Sequence, residues 1–341
     1  MSKVYFRKLD NFEDVDSINI LVYDMIDKAI KEEGLLLSDN VPMKVHFGES
    51  GNVTFVKPIY YEGIKKWLKD NNKKTCYIET NVLYKGSRTK TEDHINTALE
   101  HGFNDLDIVI ADSDESKPYN EIEVDLKHFK KCKIGSKYAD YDSYIVVSHF
   151  KGHGLAGFGG AIKQLGMGFA SRGGKMNQHS MSVPSINHNK CIMCGTCVVK
   201  CPVNAIGMDE IVEIDPDICI GCASCTVVCP VNAISNNWDE SHFHEKLAEY
   251  AYAASKDKRI LYVTYAFNIT KECDCNGSEM SLIAPNIGIF VSTDPVSIDK
   301  ACMDKYHEVT NNADNFDLGL KTLNYGSEIG LGEIVYELIE I

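Results

Sequence analysis

Two rhythms of hydrophobic and polar positions run through the first 150 residues. Residues 14–34, DVDSINILVYDMIDKAIKEEG, repeat apolar positions at helical spacing behind an aspartate and stop at a glycine, which predicts a capped amphipathic helix. Residues 58–72 and 91–102 carry the same signature. Between them, 3–9, 43–47, 75–80 and 106–112 are short and rich in alternating or β-branched residues, as strands are. The segment 143–150, SYIVVSHF, is the most apolar of the set and is expected at the centre of a sheet. The alternation resumes late in the chain, with helices expected over 239–256 and 295–306 and strands over 259–267 and 287–292. Such a succession predicts an α/β fold, a parallel or mixed sheet with helices on both faces.

The middle of the chain breaks this rhythm. Residues 191–206 read CIMCGTCVVKCPVNAI and residues 219–234 read CIGCASCTVVCPVNAI. Each is a C-x2-C-x2-C-x3-C-P run: Cys191, Cys194, Cys197, Cys201 and Pro202, then Cys219, Cys222, Cys225, Cys229 and Pro230. Three thiolates at this spacing wrap one corner of a cubane, while Gly195 and Gly221 let backbone N–H groups approach sulfur. The fourth cysteine follows on a helical turn that the proline ends, before a short strand at VNAI. Structural zinc sites pair C-x2-C units across a longer gap and fit this spacing poorly. Eight of the 13 cysteines lie in these runs.

This stretch resembles the bacterial ferredoxins that carry two 4Fe–4S clusters, in which the fourth cysteine of each run ligates the cluster of the other. The resemblance implies the sets Cys191, Cys194, Cys197 with Cys229, and Cys219, Cys222, Cys225 with Cys201. It also divides the chain into a first part of an α/β domain at 1–183, a ferredoxin-like insert at 184–236, and the remainder of the α/β domain at 237–341. Exposed host loops tolerate insertions of this kind.

Composition narrows the function classes. A length of 341 residues, 44% hydrophobic residues and 9 prolines describe a well-folded chain with a sizeable core. The formal charge of −14 excludes a nucleic-acid binder, which needs clustered Lys and Arg. No apolar run reaches signal-peptide or membrane-span length, so a cytoplasmic protein without a membrane association is expected. Many cysteines without an export signal point to metal ligation over disulfides.

Directly after the central strand comes a loop rich in glycine and histidine, residues 148–180. It follows the carboxyl end of a strand and precedes a helix expected from about residue 161, the place where open α/β sheets hold ligands. Gly152, Gly154, Gly157, Gly159 and Gly160 permit close backbone approach to a bound anion or cofactor. His149, His153, Lys163 and His179 crowd the same region. His153 or His179 is the expected proton handler and Lys163 the group that holds an anion or tethers a cofactor. A small-molecule ligand, or an additional cofactor or metal, is therefore expected at this loop.

Further candidates are weaker. Cys273 and Cys275, read as an extended C-x-C, would point two thiols to one face, a geometry suited to metal ligation or a redox pair. Cys76, Cys132 and Cys302 read as inert buried thiols. Asp294 and Pro295 read as the N-cap and first residue of a helix, with Asp299 near that N-terminus, and Asp112 ends a strand.

Over nearly its whole length the chain resembles the uncharacterised iron–sulfur centre proteins of prokaryotes, a domain-of-unknown-function family. The stretches that carry the likeness are TNVLYKGSRTKTEDH, SHFKGHGLAGFGGAIKQLGMG, the two-cluster insert, ECDC and DPVSIDKAC. The loop from His153 to Lys163 also resembles the cofactor loop of the nickel-pincer lactate racemases. That resemblance implies a covalent tether at Lys163, a nickel ligand at His179, proton transfer at His153 and a loose counterpart at Arg88. Three readings follow: an oxidoreductase passing electrons through two 4Fe–4S clusters to a group at the 148–180 loop, a non-catalytic carrier docking a redox partner protein, or a racemase-like metal-cofactor enzyme.

Overall fold

The structure, a computed structural model, describes residues 1–84, 86–114, 117–179, 183–201, 203–216, 218–219, 224–235, 242–310 and 315–341. Eight strands make the main sheet: Ser2–Lys8 (β1), Met43–Lys44 (β2), Tyr77–Glu79 (β3), Ile108–Ile110 (β4), Ser143–His149 (β5), Arg259–Ala266 (β6), Gly288–Ser292 (β7) and Tyr336–Glu340 (β8). Their spatial order is β8–β1–β7–β6–β5–β2–β3–β4. From β6 through β4 all pairings are parallel. β7 runs antiparallel to both β1 and β6, and β8 closes the edge parallel to β1. The sheet is therefore mixed.

The expected central strand is interior, and all of its residues are buried. The period of two sorts each strand's side chains to opposite faces. Tyr144 and Val146 of β5 join one hydrophobic cluster with Tyr262 and Phe290, whereas Ile145 and Val147 join another with Leu261, Val263 and Val291. The first cluster is covered by the helices Ala161–Gly166, Phe243–Ser255, Pro295–Thr310 and Gly319–Glu328, and the second by Val15–Glu33 and Glu62–Asp70. Helices on both faces follow from strands that are apolar on both sides.

Local chemistry fixes the helix ends. Asp14 accepts the Ser17 N–H at 3.1 Å, and Gly34 takes the left-handed conformation at φ 62° where the helix Val15–Glu33 stops. Asp294 accepts the N–H groups of Val296 and Ser297 at 2.8 and 2.9 Å, the expected cap on Pro295–Thr310. Several elements differ from expectation. The strand expected over 43–47 is confined to Met43–Lys44, although the Val45 N–H still reaches the Ile78 carbonyl. β8, the hairpin Tyr119–Glu123 with Lys131–Gly135, and the helices Arg172–His179 and Gly319–Glu328 carry weak periodicity and form nonetheless. Among the described residues, no helix is long and apolar enough to cross a membrane.

Residues 185–235 hold a separate small cluster around Cys197, Ile206, Val212, Cys225, Cys229, Ala233 and Ile234. Ser185–Ile186 pairs antiparallel with Ile234–Ser235, and Ile206–Met208 with Val212–Ile214. The VNAI segments are turns that lead into strands, contrary to the expected strands: Asn204 and Asn232 both have φ near +52° and strand pairing begins at Ile206 and Ile234. Asparagine tolerates this left-handed conformation better than most residues.

Candidate functional site

Past the carboxyl ends of β2, β3, β5 and β6 the chain encloses a cavity of about 280 Å³. Its wall takes His46 from beyond β2, Glu79 from the end of β3 and Thr80 just past it, Tyr84 and Arg88 from the following loop, and Ser148 and His149 from β5. Lys151, His153, Gly159, Gly160, Lys163, Lys175 and His179 come from the glycine–histidine segment, and Cys273 and Cys275 from the chain after β6. Parallel strands point their carboxyl ends to one side, which is why residues so distant in sequence meet.

The glycines divide by role. Gly159 and Gly160 line the cavity; Gly152, Gly154 and Gly157 are not part of its wall. A Cβ on Gly152 would lie 2.2 Å from the Lys271 carbonyl oxygen, and the Gly152 N–H donates to the Thr270 carbonyl at 2.8 Å. Gly152 thus fastens the loop to the segment carrying Cys273 and Cys275. Gly157 turns a short hairpin at φ 79°, and Gly154 has open space around it. The first N–H groups of the helix that follows the glycine loop are taken by protein: Asp299 accepts those of Ala161 and Ile162 at 2.7 and 2.9 Å. Asp112 is buried, accepts the Asn81 N–H at 2.8 Å and stays outside the cavity wall.

Four cationic side chains, Arg88, Lys151, Lys163 and Lys175, face a wall with one carboxylate, Glu79, which is itself paired with buried Lys44 at 2.8 Å. Lys151 bonds the His149 carbonyl at 2.9 Å and Asp274 at 3.2 Å, and Arg88 is held by Glu49 and Tyr84. Burial pulls the Lys175 ammonium down to about 8 while Asp112 and Glu79 support its charge. Burial also works against the Lys163 ammonium, yet the sulfurs of Cys273 and Cys275 hold its pKa above the ordinary lysine value. Among the described residues none accepts a hydrogen bond from Lys163 Nζ, and the buried Ser148 hydroxyl has no partner. A cationic wall with an unpartnered hydroxyl favours an anionic occupant.

Two histidines of the wall, His153 and His179, favour the neutral ring. Burial, then Lys163, lowers His153 well below the ordinary range, and the same two causes bring His179 to about 4. The Ala156 N–H donates to His153 Nδ1 at 3.0 Å, which places the ring proton on Nε2. His149 sits deeper, with Nδ1 2.9 Å from Asp274 and Nε2 donating to the Phe267 carbonyl at 2.7 Å. Burial would raise the Asp274 carboxyl, but His149 and Lys151 outweigh it and hold it well below the ordinary carboxylate range.

Sequence reasoning missed His46, Glu79, Lys151 and Lys175. Each lies at or soon after a strand's carboxyl end or in the loop already singled out, so the crevice rule for parallel sheets is the signal that finds them.

Within residues 185–235, one cleft is lined by Cys191, Cys194, Cys197 and Cys229, which brings three cysteines of the first run to the fourth of the second. The repeats match in detail: the Ala205 N–H donates to Cys201 Sγ at 3.2 Å and the Ala233 N–H to Cys229 Sγ at 3.1 Å. Gly195 has φ 71° beside Cys194. Cys222, Pro202 and Gly221 lie outside the described residues, so only Cys201, Cys219 and Cys225 of the second set are placed. Cys76, Cys132 and Cys302 are buried, and burial raises the pKa of each thiol.

A family model described as "Domain of unknown function (DUF362)" matches residues 41–304. No curated protein matches the chain. Among solved structures, a Thermotoga maritima protein determined as a structural-genomics target is similar over 90% of this chain and 59% of its own, at 8% identity and a TM-score of 0.41. The lactate racemase apoprotein from Thermoanaerobacterium thermosaccharolyticum is similar over 78% of this chain and 51% of its own, at 12% identity and a TM-score of 0.39. The chain thus spans between half and three-fifths of the length of these two structures.

Proposed function

This chain belongs to the DUF362 family, a domain of unknown function whose match spans the cavity and both cysteine runs, and we propose that it is an iron–sulfur oxidoreductase. The cysteines of residues 184–236 would hold two 4Fe–4S clusters, which when bound would supply single-electron exchange with an external carrier protein, and the cavity would hold the anionic ligand or cofactor that the redox chemistry serves. The observation that carries the cluster half of this reading is the cleft in which Cys191, Cys194, Cys197 and Cys229 meet. The matched N–H to sulfur contacts at Cys201 and Cys229 support it, because amide donors of this kind stabilise cluster thiolates and tune their potential. Bound clusters would supply one-electron chemistry; the chain's own residues orient the ligand and handle its protons.

The cavity half rests on the cationic wall. Lys163 would fix an anion in a field to which Arg88, Lys151 and Lys175, each held by protein groups, add positive charge, and neutral His153, with its proton on Nε2, is placed to exchange a proton with it. A pure carrier needs a docking surface and has no use for an enclosed, partly unsatisfied pocket, so the enzyme reading is preferred to the carrier. The racemase-like reading is favoured by one feature, the unpaired Lys163 facing His153 and His179 across the same cavity.

Extracts and metal content of oxygen-free protein, compared with a Lys163→Ala variant, test the cavity. Wild-type protein should release a bound anion that the variant has lost, whereas extracts indistinguishable from buffer in both would return the cavity to an empty structural feature. A mass increment on Lys163 would transfer the assignment to the tethered-cofactor reading.

A further inference from the structure

The C-x-C pair after β6 is not used by the proposed chemistry, yet it lies in the cavity. The chain there is not extended: the Asn276 N–H donates to the Cys273 carbonyl at 2.9 Å, closing a β-turn over residues 273–276. In such a turn the first and last Cα atoms are under about 7 Å apart, which brings residues one and three within the roughly 4.4–6.8 Å that a disulfide needs. Asp274 leaves the turn on the other side to meet His149 and Lys151, so the two sulfurs are left facing each other and the cavity.

Their surroundings make the two thiols unequal. The Gly48 N–H donates to His46 Nδ1 at 3.0 Å, which puts the ring proton on Nε2, and that Nε2 lies 3.4 Å from Cys275 Sγ. Cys275 therefore receives an N–H donor, the Cys273 thiol beside it and the Lys163 charge opposite. Cys273 is buried behind it and keeps its proton, as its interaction with Cys275 and its burial both dictate. A thiolate with an adjacent thiol, opening on a cation-lined space, is the arrangement of an attacking and a resolving cysteine.

We propose that Cys275 and Cys273 are a redox-active dithiol that undergoes exchange with a small anionic disulfide bound in the cavity. Cys275 S⁻ attacks one sulfur of R–S–S–R, forming Cys275–S–S–R and releasing RS⁻. Cys273 then gives up its proton and attacks Cys275 Sγ, forming the Cys273–Cys275 disulfide and releasing the second RS⁻. One dithiol proton ends on one leaving thiolate, so the products are the protein disulfide, one RSH and one RS⁻. This goes beyond the proposed cluster chemistry and needs only the cavity, so it stands or falls separately.

Trypsin cleavage after Lys271 and Lys300 isolates residues 272–300, a peptide whose cysteines are Cys273 and Cys275 alone. Full-length, oxygen-free protein is equilibrated with mixtures of thioglycolate and dithiodiglycolate, quenched in acid, denatured, alkylated and mapped. The peptide should pass from doubly alkylated to an unalkylated form lighter by two hydrogens as the disulfide fraction rises. In Cys273→Ser protein the adduct should accumulate on Cys275, at least about ten-fold more than on Cys273 in Cys275→Ser, in line with the thiolate dependence of attack. The cationic disulfide cystamine should react at least about ten-fold more slowly than dithiodiglycolate, because like charges repel across the wall. A peptide that stays doubly alkylated throughout, equal rates with the two disulfides, or protection that only a chelator relieves would each overturn the proposal. Iron and sulfide measured on the same samples report on the clusters independently.

Discussion

Asp299 reaches from the helix Pro295–Thr310 to the N–H groups of Ala161 and Ile162, and burial pushes its carboxyl up to about 7 against the pull of those two donors. Its folded pKa thus lies above the ordinary carboxylate value. Between about pH 4 and pH 7 the folded protein holds a proton that the unfolded chain releases, so stability falls as pH rises through this window. Asp112, raised by burial to about 6, acts in the same direction. Asp299→Asn should lower stability at pH 5 by about 1–3 kcal/mol, since an amide nitrogen then faces one of the two donors. Urea midpoints across pH 5–7 should also decline less steeply than in the wild type; parallel declines would show that Asp299 is not the titrating group. The chemistry-bearing residues close together in sequence, His153, Lys163 and His179, were legible because they are local. The pairing of His46 with Cys275 was not, because it spans 229 positions and exists once β2 and β6 share a sheet.

Among elements, the legible ones are those whose pattern and caps agree. The helix Val15–Glu33 has both, with Asp14 and Gly34 at its ends, and β5 announces itself by a continuous apolar run. β8 was silent because an edge strand with mostly half-exposed residues needs no alternation, and Arg172–His179 because two glycines and polar side chains mask a helix that burial sustains. The cysteine runs repeat at the level of structure as well as letters, with Asn204 and Asn232 turning the chain alike. Pairing of Ser185–Ile186 with Ile234–Ser235 sets the two ends of the cysteine-rich segment side by side. Replacing residues 184–236 by a short Gly–Ser linker should leave the α/β body folded, with cooperative thermal unfolding and helix content lowered only by the removed turns. Loss of cooperativity would show that the segment is part of the main fold.

For the whole molecule, charge is distributed unevenly. A chain of formal charge −14 keeps Arg88, Lys151, Lys163 and Lys175 around one cavity, so the cationic wall contrasts with the net charge of the chain. The proposed function assigns ligand specificity to the parallel half of the sheet and electron exchange to residues 184–236. The two roles are separable by experiment, which makes the metal content of the intact chain decisive. Purified without oxygen, the protein should be brown and contain about eight iron and eight inorganic sulfide per chain, with Cys229→Ser losing about half of each. Colourless protein holding zinc, or iron unchanged by loss of Cys229, would contradict the account.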